Sequence, residues 1–121
     1  SDILKSPVLT LLLGALDAAS GGFEYEDVFR CLKTGLAGLS MEECDLLENY
    51  ALKWELRGAM WTREAPWTAH PDGYGADWTD EARVRLEAVN ALRARVQGAF
   101  LRLKQGVGGS GAAEVNIVDS I

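Results

Sequence analysis

The chain has 121 residues, of which 48% are apolar and 25% charged, with 13 glycines and 3 prolines. That length and balance suit one domain with a real hydrophobic core, and exclude a collagen, a disordered chain and a disulfide scaffold. Twelve basic and eighteen acidic residues leave a net charge of −6, which argues against a freestanding nucleic-acid-binding module.

The first expected helix begins at Ser6-Pro7, where Ser6 can cap and Pro7 suits the first turn. Val8, Leu9, Leu12, Leu13 and Leu16 give it a buried stripe, and Ser20-Gly21-Gly22 ends it. Its apolar run, broken by Gly14 and Asp17, falls far short of the ~20 residues that span a bilayer. With no basic leader followed by a long apolar stretch, the expectation is a soluble protein of the cytoplasm.

A second helix is expected over Tyr25–Lys33, with Val28, Phe29 and Leu32 inward and Gly35 as terminator. The third opens on a capping box: Ser40 and Glu43 can each satisfy the other's unpaired backbone donor. Cys44, Leu47, Ala51 and Trp54 follow at helical spacing, with Leu46 and Tyr50 alongside and a stop expected at Gly58.

Residues Ala59–Trp78 hold two of the three prolines and three of the four tryptophans. They read as an irregular connection whose tryptophans pin it to the helices. Thr79 then caps the longest helix, expected over Asp80–Lys104. Ala82, Leu86, Val89, Leu92, Val96, Phe100 and Leu103 form its apolar stripe. Beyond it, GVGGSG has a linker composition and AAEVNIVDSI reads as a short β-prone tail. The fold class is therefore all-α: a compact bundle of four main helices over residues 1–105, with residues 106–121 a flexible linker and tail, of doubtful origin.

The charge is uneven. Residues 1–60 hold five basic and ten acidic residues, whereas residues 82–105 hold six basic residues against Glu87 alone. A solvated helix face paired with acidic neighbours of the same fold is the favoured reading, with a nucleic-acid or intersubunit contact as the other. Arg30 with Lys33, and Lys53 with Arg57, stand at spacings that can meet phosphates or complement helix C-termini, and are the candidate DNA contacts. Trp61 and Trp67 could stack bases, but their surroundings favour packing.

Catalytic material is scarce. The single histidine, His70, has Asp72 and Asp77 nearby but no nucleophile motif. Cys31 and Cys44 match no metal spacing and read as core thiols. The acidic clusters Glu24, Glu26, Asp27 and Glu42, Glu43, Asp45, Glu48 lie at expected helix N-termini, where they complement the dipole. Lys33-Thr34-Gly35 lies at a helix C-terminus, the wrong end for a phosphate loop. No catalytic or metal residue is assigned.

Several blocks together resemble one family: Tyr25-Glu26-Asp27-Val28-Phe29-Arg30, Leu32-Lys33-Thr34-Gly35-Leu36, Leu47-Glu48-Asn49-Tyr50, then Arg57-Gly58 and Trp61. With Ser6-Pro7-Val8 upstream, the chain is similar over roughly residues 3–105 to the B subunit of the bacterial AddAB (RexAB) ATP-dependent helicase–nuclease. Cys31 departs from the pattern, standing where an aromatic is common, and the GGSG tail has no counterpart. The resemblance implies an internal helical segment, like the 2B insertion of superfamily 1 helicases, acting in recombinational repair of double-strand breaks. The family's ATP and magnesium chemistry, nuclease centre and iron–sulfur cysteines would lie outside it, leaving no cofactor in this segment. Its partners would be sister domains, the A-type subunit and DNA, with no membrane. Exposed apolar residues among Leu36, Leu39, Trp61 and Trp67 would mark an interdomain contact. The other reading is a stand-alone protein–protein interaction domain using the aromatic connection and the basic last helix.

Overall fold

The computed structural model describes residues 22–35 and 37–108, with side chains up to residue 100. Within them the chain is all-α, and three α-helices are found: α1 (Tyr25–Leu32), α2 (Met41–Lys53) and α3 (Asp80–Gly108), with a 3-10 turn at Gly58–Trp61. The expected count of four main helices is thus corrected to three among the described residues. The helix expected from Ser6, like Leu36 and residues 109–121, lies outside them.

Local chemistry sets most boundaries. In α1, Glu26 and Asp27 occupy the first turn, and Gly35 closes the exit at φ +78° with its N–H on the Leu32 carbonyl. Helix α2 starts as the sequence predicts: the Glu43 N–H donates to Ser40 Oγ at 3.1 Å and the Ser40 N–H to Glu43 Oε1 at 2.9 Å. Thr79 Oγ1 likewise accepts from the Ala82 N–H at 3.0 Å at the start of α3.

Two boundaries differ from expectation. Helix α2 stops at Lys53, five residues before Gly58. Glu55 adopts φ +48°, and the Leu56 N–H closes back on the Ala51 carbonyl at 3.0 Å, with Leu56 and Ala51 both buried. This is a Schellman stop with glutamate in the place glycine usually takes, which is why no sequence signal marks it. Glu55→Gly is accordingly expected to stabilise the chain by about 0.5–1 kcal/mol in urea unfolding, because glycine enters the left-handed region without a Cβ penalty. The other difference is α3, which continues four residues past Lys104 to Gly108 and reaches ~44 Å. Gly106 and Gly108 are thus helical, although their composition suggests a linker.

Helix α2 packs against both α1 and α3. Val28, Phe29 and Leu32 of α1 meet Cys44, Leu47, Tyr50 and Ala51 of α2 and Val89, Leu92 and Val96 of α3 in one core. Trp61 and Trp67 complete that core from the connection. Trp61 stands edge-on to Phe29 at 5.8 Å and to Trp67 at 5.3 Å, and Tyr50 stacks on Trp67 at 5.5 Å.

The connection from 62 to 79 has no regular structure, so its backbone groups need side-chain partners. Asn90 provides two: its Oδ1 accepts from the Trp67 N–H and its Nδ2 donates to the Trp67 carbonyl, each at 2.9 Å. Tyr50 Oη donates to the Ala69 carbonyl and Trp54 Nε1 to that of His70, both at 2.9 Å. Gln97 Nε2 donates to the carbonyls of Trp61 and Arg63 at 2.7 and 2.9 Å. The tryptophans do pin this segment, as their spacing suggests, but an asparagine, a glutamine and a tyrosine on the helices hold it as well.

Candidate nucleic-acid and packing surface

The charges sort into paired and unpaired sets. Arg30 Nη1 lies 3.2 Å from Asp27, and Lys33 Nζ lies 2.7 Å from Glu48 Oε2, which also accepts from Tyr25 Oη at 2.6 Å. Two of the four candidate DNA contacts therefore already face carboxylates. On α3, Arg83 pairs with Asp80 and Arg85 takes both oxygens of Asp72. Arg95 reaches Glu43 at 2.6 Å and the Gly38 carbonyl at 2.8 Å, tying α3 to the start of α2. Three of the four basic side chains described on α3 are thus answered by acids of the same chain. Lys53 and Arg57 are exposed and form no ion pair among the described residues.

These pairs bias protonation. Hydrogen bonds from Lys33 and then Tyr25 hold the Glu48 carboxyl below its ordinary range. The Ser40 N–H and then Arg95 do the same for Glu43, and Arg85 does so for Asp72. A carboxylate whose folded value lies below its unfolded one supports the fold fully above the unfolded value, and loses that support as pH falls through the folded one. Stability is therefore expected to be level above about pH 5 and to fall below about pH 4. Circular dichroism during acid titration checks this. Glu48→Gln should make the fall shallower, and an unchanged profile would remove Glu48 from the account.

His70 is buried, 6% exposed, in the connection. Its Nδ1 accepts from the Asp72 N–H at 2.9 Å and its Nε2 faces the Asp77 carbonyl at 2.8 Å. Those partners assign the Nε2–H tautomer. The arrangement reverses a catalytic relay, in which Nδ1–H would donate to a carboxylate and Nε2 would face a nucleophile. With Trp78 against its ring at 4.3 Å, His70 organises a turn.

Cys31 and Cys44 are buried free thiols. Burial pushes both up from the ordinary thiol value, and Cys44 Sγ donates to the Leu32 carbonyl at 3.5 Å. Among the described residues no group of three or more His, Cys, Asp or Glu could hold a metal ion, and no helix is long and apolar enough to cross a membrane.

Three of the four residues named for an interdomain contact are buried. Leu39, Trp61 and Trp67 are 5%, 1% and 4% exposed, so their surface faces this chain's own core. Leu36 lies outside the described residues.

Sequence reasoning missed Asn90, Arg93 and Gln97. Arg93 is 8% exposed, and its donors meet Asn90 Oδ1 at 3.1 Å, Gln97 Oε1 at 3.0 Å and the Arg63 carbonyl at 3.4 Å. With Leu86 these residues recur at helical spacing beside the apolar stripe, a polar row that could have been found as a docking line for irregular backbone.

Comparison with known proteins agrees with the motif blocks. The chain is 37% identical over 105 residues to the B subunit of the ATP-dependent helicase/deoxyribonuclease of Acetivibrio thermocellus, covering 86% of the chain and 9% of the relative. It is 31% identical over 110 residues to that of Clostridium kluyveri (89% and 10%), and 45% over 97 residues to that of Pelotomaculum thermopropionicum (75% and 8%). The chain belongs, as a segment, to the family of ATP-dependent helicase/deoxyribonuclease B subunits. It spans about a tenth of the length of the curated relatives it matches. No family model matches it, and no solved structure does. In this helicase/deoxyribonuclease segment, Lys33 and Glu48 come from two of the blocks that carry the resemblance, and they join in the ion pair between α1 and α2. Trp61, from a third block, lies in the core.

Proposed function

We propose that this segment is a non-catalytic helical module of a helicase/deoxyribonuclease B subunit, serving repair of DNA double-strand breaks by recombination in the cytoplasm. The match to a tenth of each relative bearing that name carries the reading. Its work is to brace neighbouring domains and the A-type subunit and to shape the path of DNA. ATP, magnesium and any iron–sulfur cluster belong to the rest of such a protein. Internal cross-links support a bracing role: three side chains of α3 hold the irregular connection, and Arg95 fastens α3 to α2. The aromatic connection and basic helix, which a stand-alone interaction domain would offer, are largely engaged within the chain.

Segment exchange tests the proposal. In the Acetivibrio thermocellus relative, assembled with its A-type partner, this chain should replace the matching residues and retain ATP-dependent DNA degradation that deletion abolishes. A hybrid that assembles but degrades DNA no better than the deletion would overturn the reading. Nuclease activity in the purified chain that disappears with His70→Ala would do so too.

A further inference from the structure

Of the seven arginines whose side chains are described, Arg30, Arg83, Arg85 and Arg95 pair with carboxylates, and Arg57, Arg63 and Arg93 pair with none among the described residues. The three without such a pair lie at or against the Gly58–Trp61 turn. Arg57 precedes the 3-10 turn and Arg63 follows it; the turn is closed by the Met60 N–H on the Arg57 carbonyl and the Arg63 N–H on the Ala59 carbonyl. Arg93 enters from α3 and donates to the Arg63 carbonyl.

Arg93 is the unusual member. A guanidinium this buried ordinarily faces a carboxylate, since a buried charge needs an opposite one as well as hydrogen bonds. Here every acceptor is neutral: Asn90, Gln97 and a backbone carbonyl. Its Nη2 has no acceptor among the described residues, and that edge of the fork is not fully enclosed. Arg57 and Arg63 are exposed. The flanking carboxylates, Glu55 and Glu64, are exposed and form no ion pair with these arginines.

We infer that Arg57, Arg63 and Arg93 form a contact for the phosphodiester backbone of DNA on the face of the 57–63 turn. This deepens the proposed role in shaping the DNA path and rests on that reading. A planar fork held by neutral partners presents its charge to an incoming oxyanion without first breaking an ion pair. Three such charges suit a strand with repeated phosphates better than a single carboxylate. Arg30 and Lys33 would first have to leave Asp27 and Glu48, and so contribute little.

The test is fluorescence anisotropy of the 121-residue chain with a labelled duplex carrying a single-stranded tail, from about 20 mM salt upward. Arg57→Gln with Arg63→Gln is expected to weaken binding about 10-fold and flatten the salt slope by about 2. Arg30→Gln with Lys33→Gln should stay within about twofold of the unaltered chain. Arg93→Lys keeps charge and should bind better than Arg93→Gln, with circular dichroism confirming that both fold. Absence of binding at low salt overturns the inference, as does a loss confined to the Arg30 and Lys33 variant. Polyglutamate binding as tightly, with the same dependence on Arg57 and Arg63, would assign the site to acidic protein instead. Failure here leaves the module reading to the exchange experiment, and failed exchange with intact, Arg57- and Arg63-dependent DNA binding rejects the module alone.

Discussion

Trp61→Ala is expected to destabilise the chain by about 3–5 kcal/mol in urea unfolding, the largest loss from any single truncation in the connection. Trp61 is among the largest fully buried side chains, and its indole meets Phe29 of α1 and Trp67 further along the connection. Removing it opens a cavity where α1 and the connection meet the core, and helix ends already fixed by caps cannot collapse into that space. Trp61→Phe is the informative control. Trp61 Nε1 is enclosed without an acceptor, so phenylalanine removes an unmet donor while keeping an aromatic ring against Phe29 and Trp67. Its cost should be well below that of alanine. Equal losses from the two substitutions would show that the indole's shape, rather than aromatic filling in general, holds the core.

Asn90→Ala should cost about 2–4 kcal/mol, although it removes only one small side chain. Asn90 bonds both backbone groups of Trp67, accepts from Arg93 Nε and donates to the Leu86 carbonyl at 3.2 Å. Alanine therefore strands a part-buried N–H and carbonyl, and leaves Arg93 with one neutral acceptor fewer. Limited trypsin digestion should report it locally, with faster cleavage after Arg63 than in the unaltered chain, alongside a lower midpoint in urea. Asn90→Asp keeps the acceptor for Trp67 and places a carboxylate beside Arg93, so it should recover part of the loss. If Asn90→Ala melts like the unaltered chain, water or another group is satisfying Trp67 and the clamp is dispensable.

Both residues show where sequence reading stops. Tryptophans in a Pro- and Gly-rich stretch announce that the stretch is pinned, but not by which helix. Asn90 looks like a polar interruption of an apolar stripe, and its partner stands 23 positions away. The charge pattern behaves similarly. A run of arginines on α3 favours an internal set of ion pairs over a binding face, without showing which acids answer it. The pairing of Arg95 with Glu43, 52 positions apart, exists only once α2 and α3 are laid together. Of the candidate contact at Arg57, Arg63 and Arg93, only Arg57 stood out beforehand, because the set is defined by which arginines the fold leaves without a carboxylate.

Features that depend on neighbours within about one helical turn were legible in the residues alone. They include the all-α class, the capping box of Ser40 and Glu43, the cap at Thr79, the exit at Gly35 and the inward face of each described helix. Membership of the helicase/deoxyribonuclease family was legible too, since the block motifs hold it without any three-dimensional information. Packing was needed to learn that α2 stops at Lys53, that His70 organises a turn, and that Leu39, Trp61 and Trp67 face inward. The difference is one of range. A cap or turn is fixed by hydrogen bonds a few residues long, whereas burial and charge pairing are settled by groups that meet only when the helices pack.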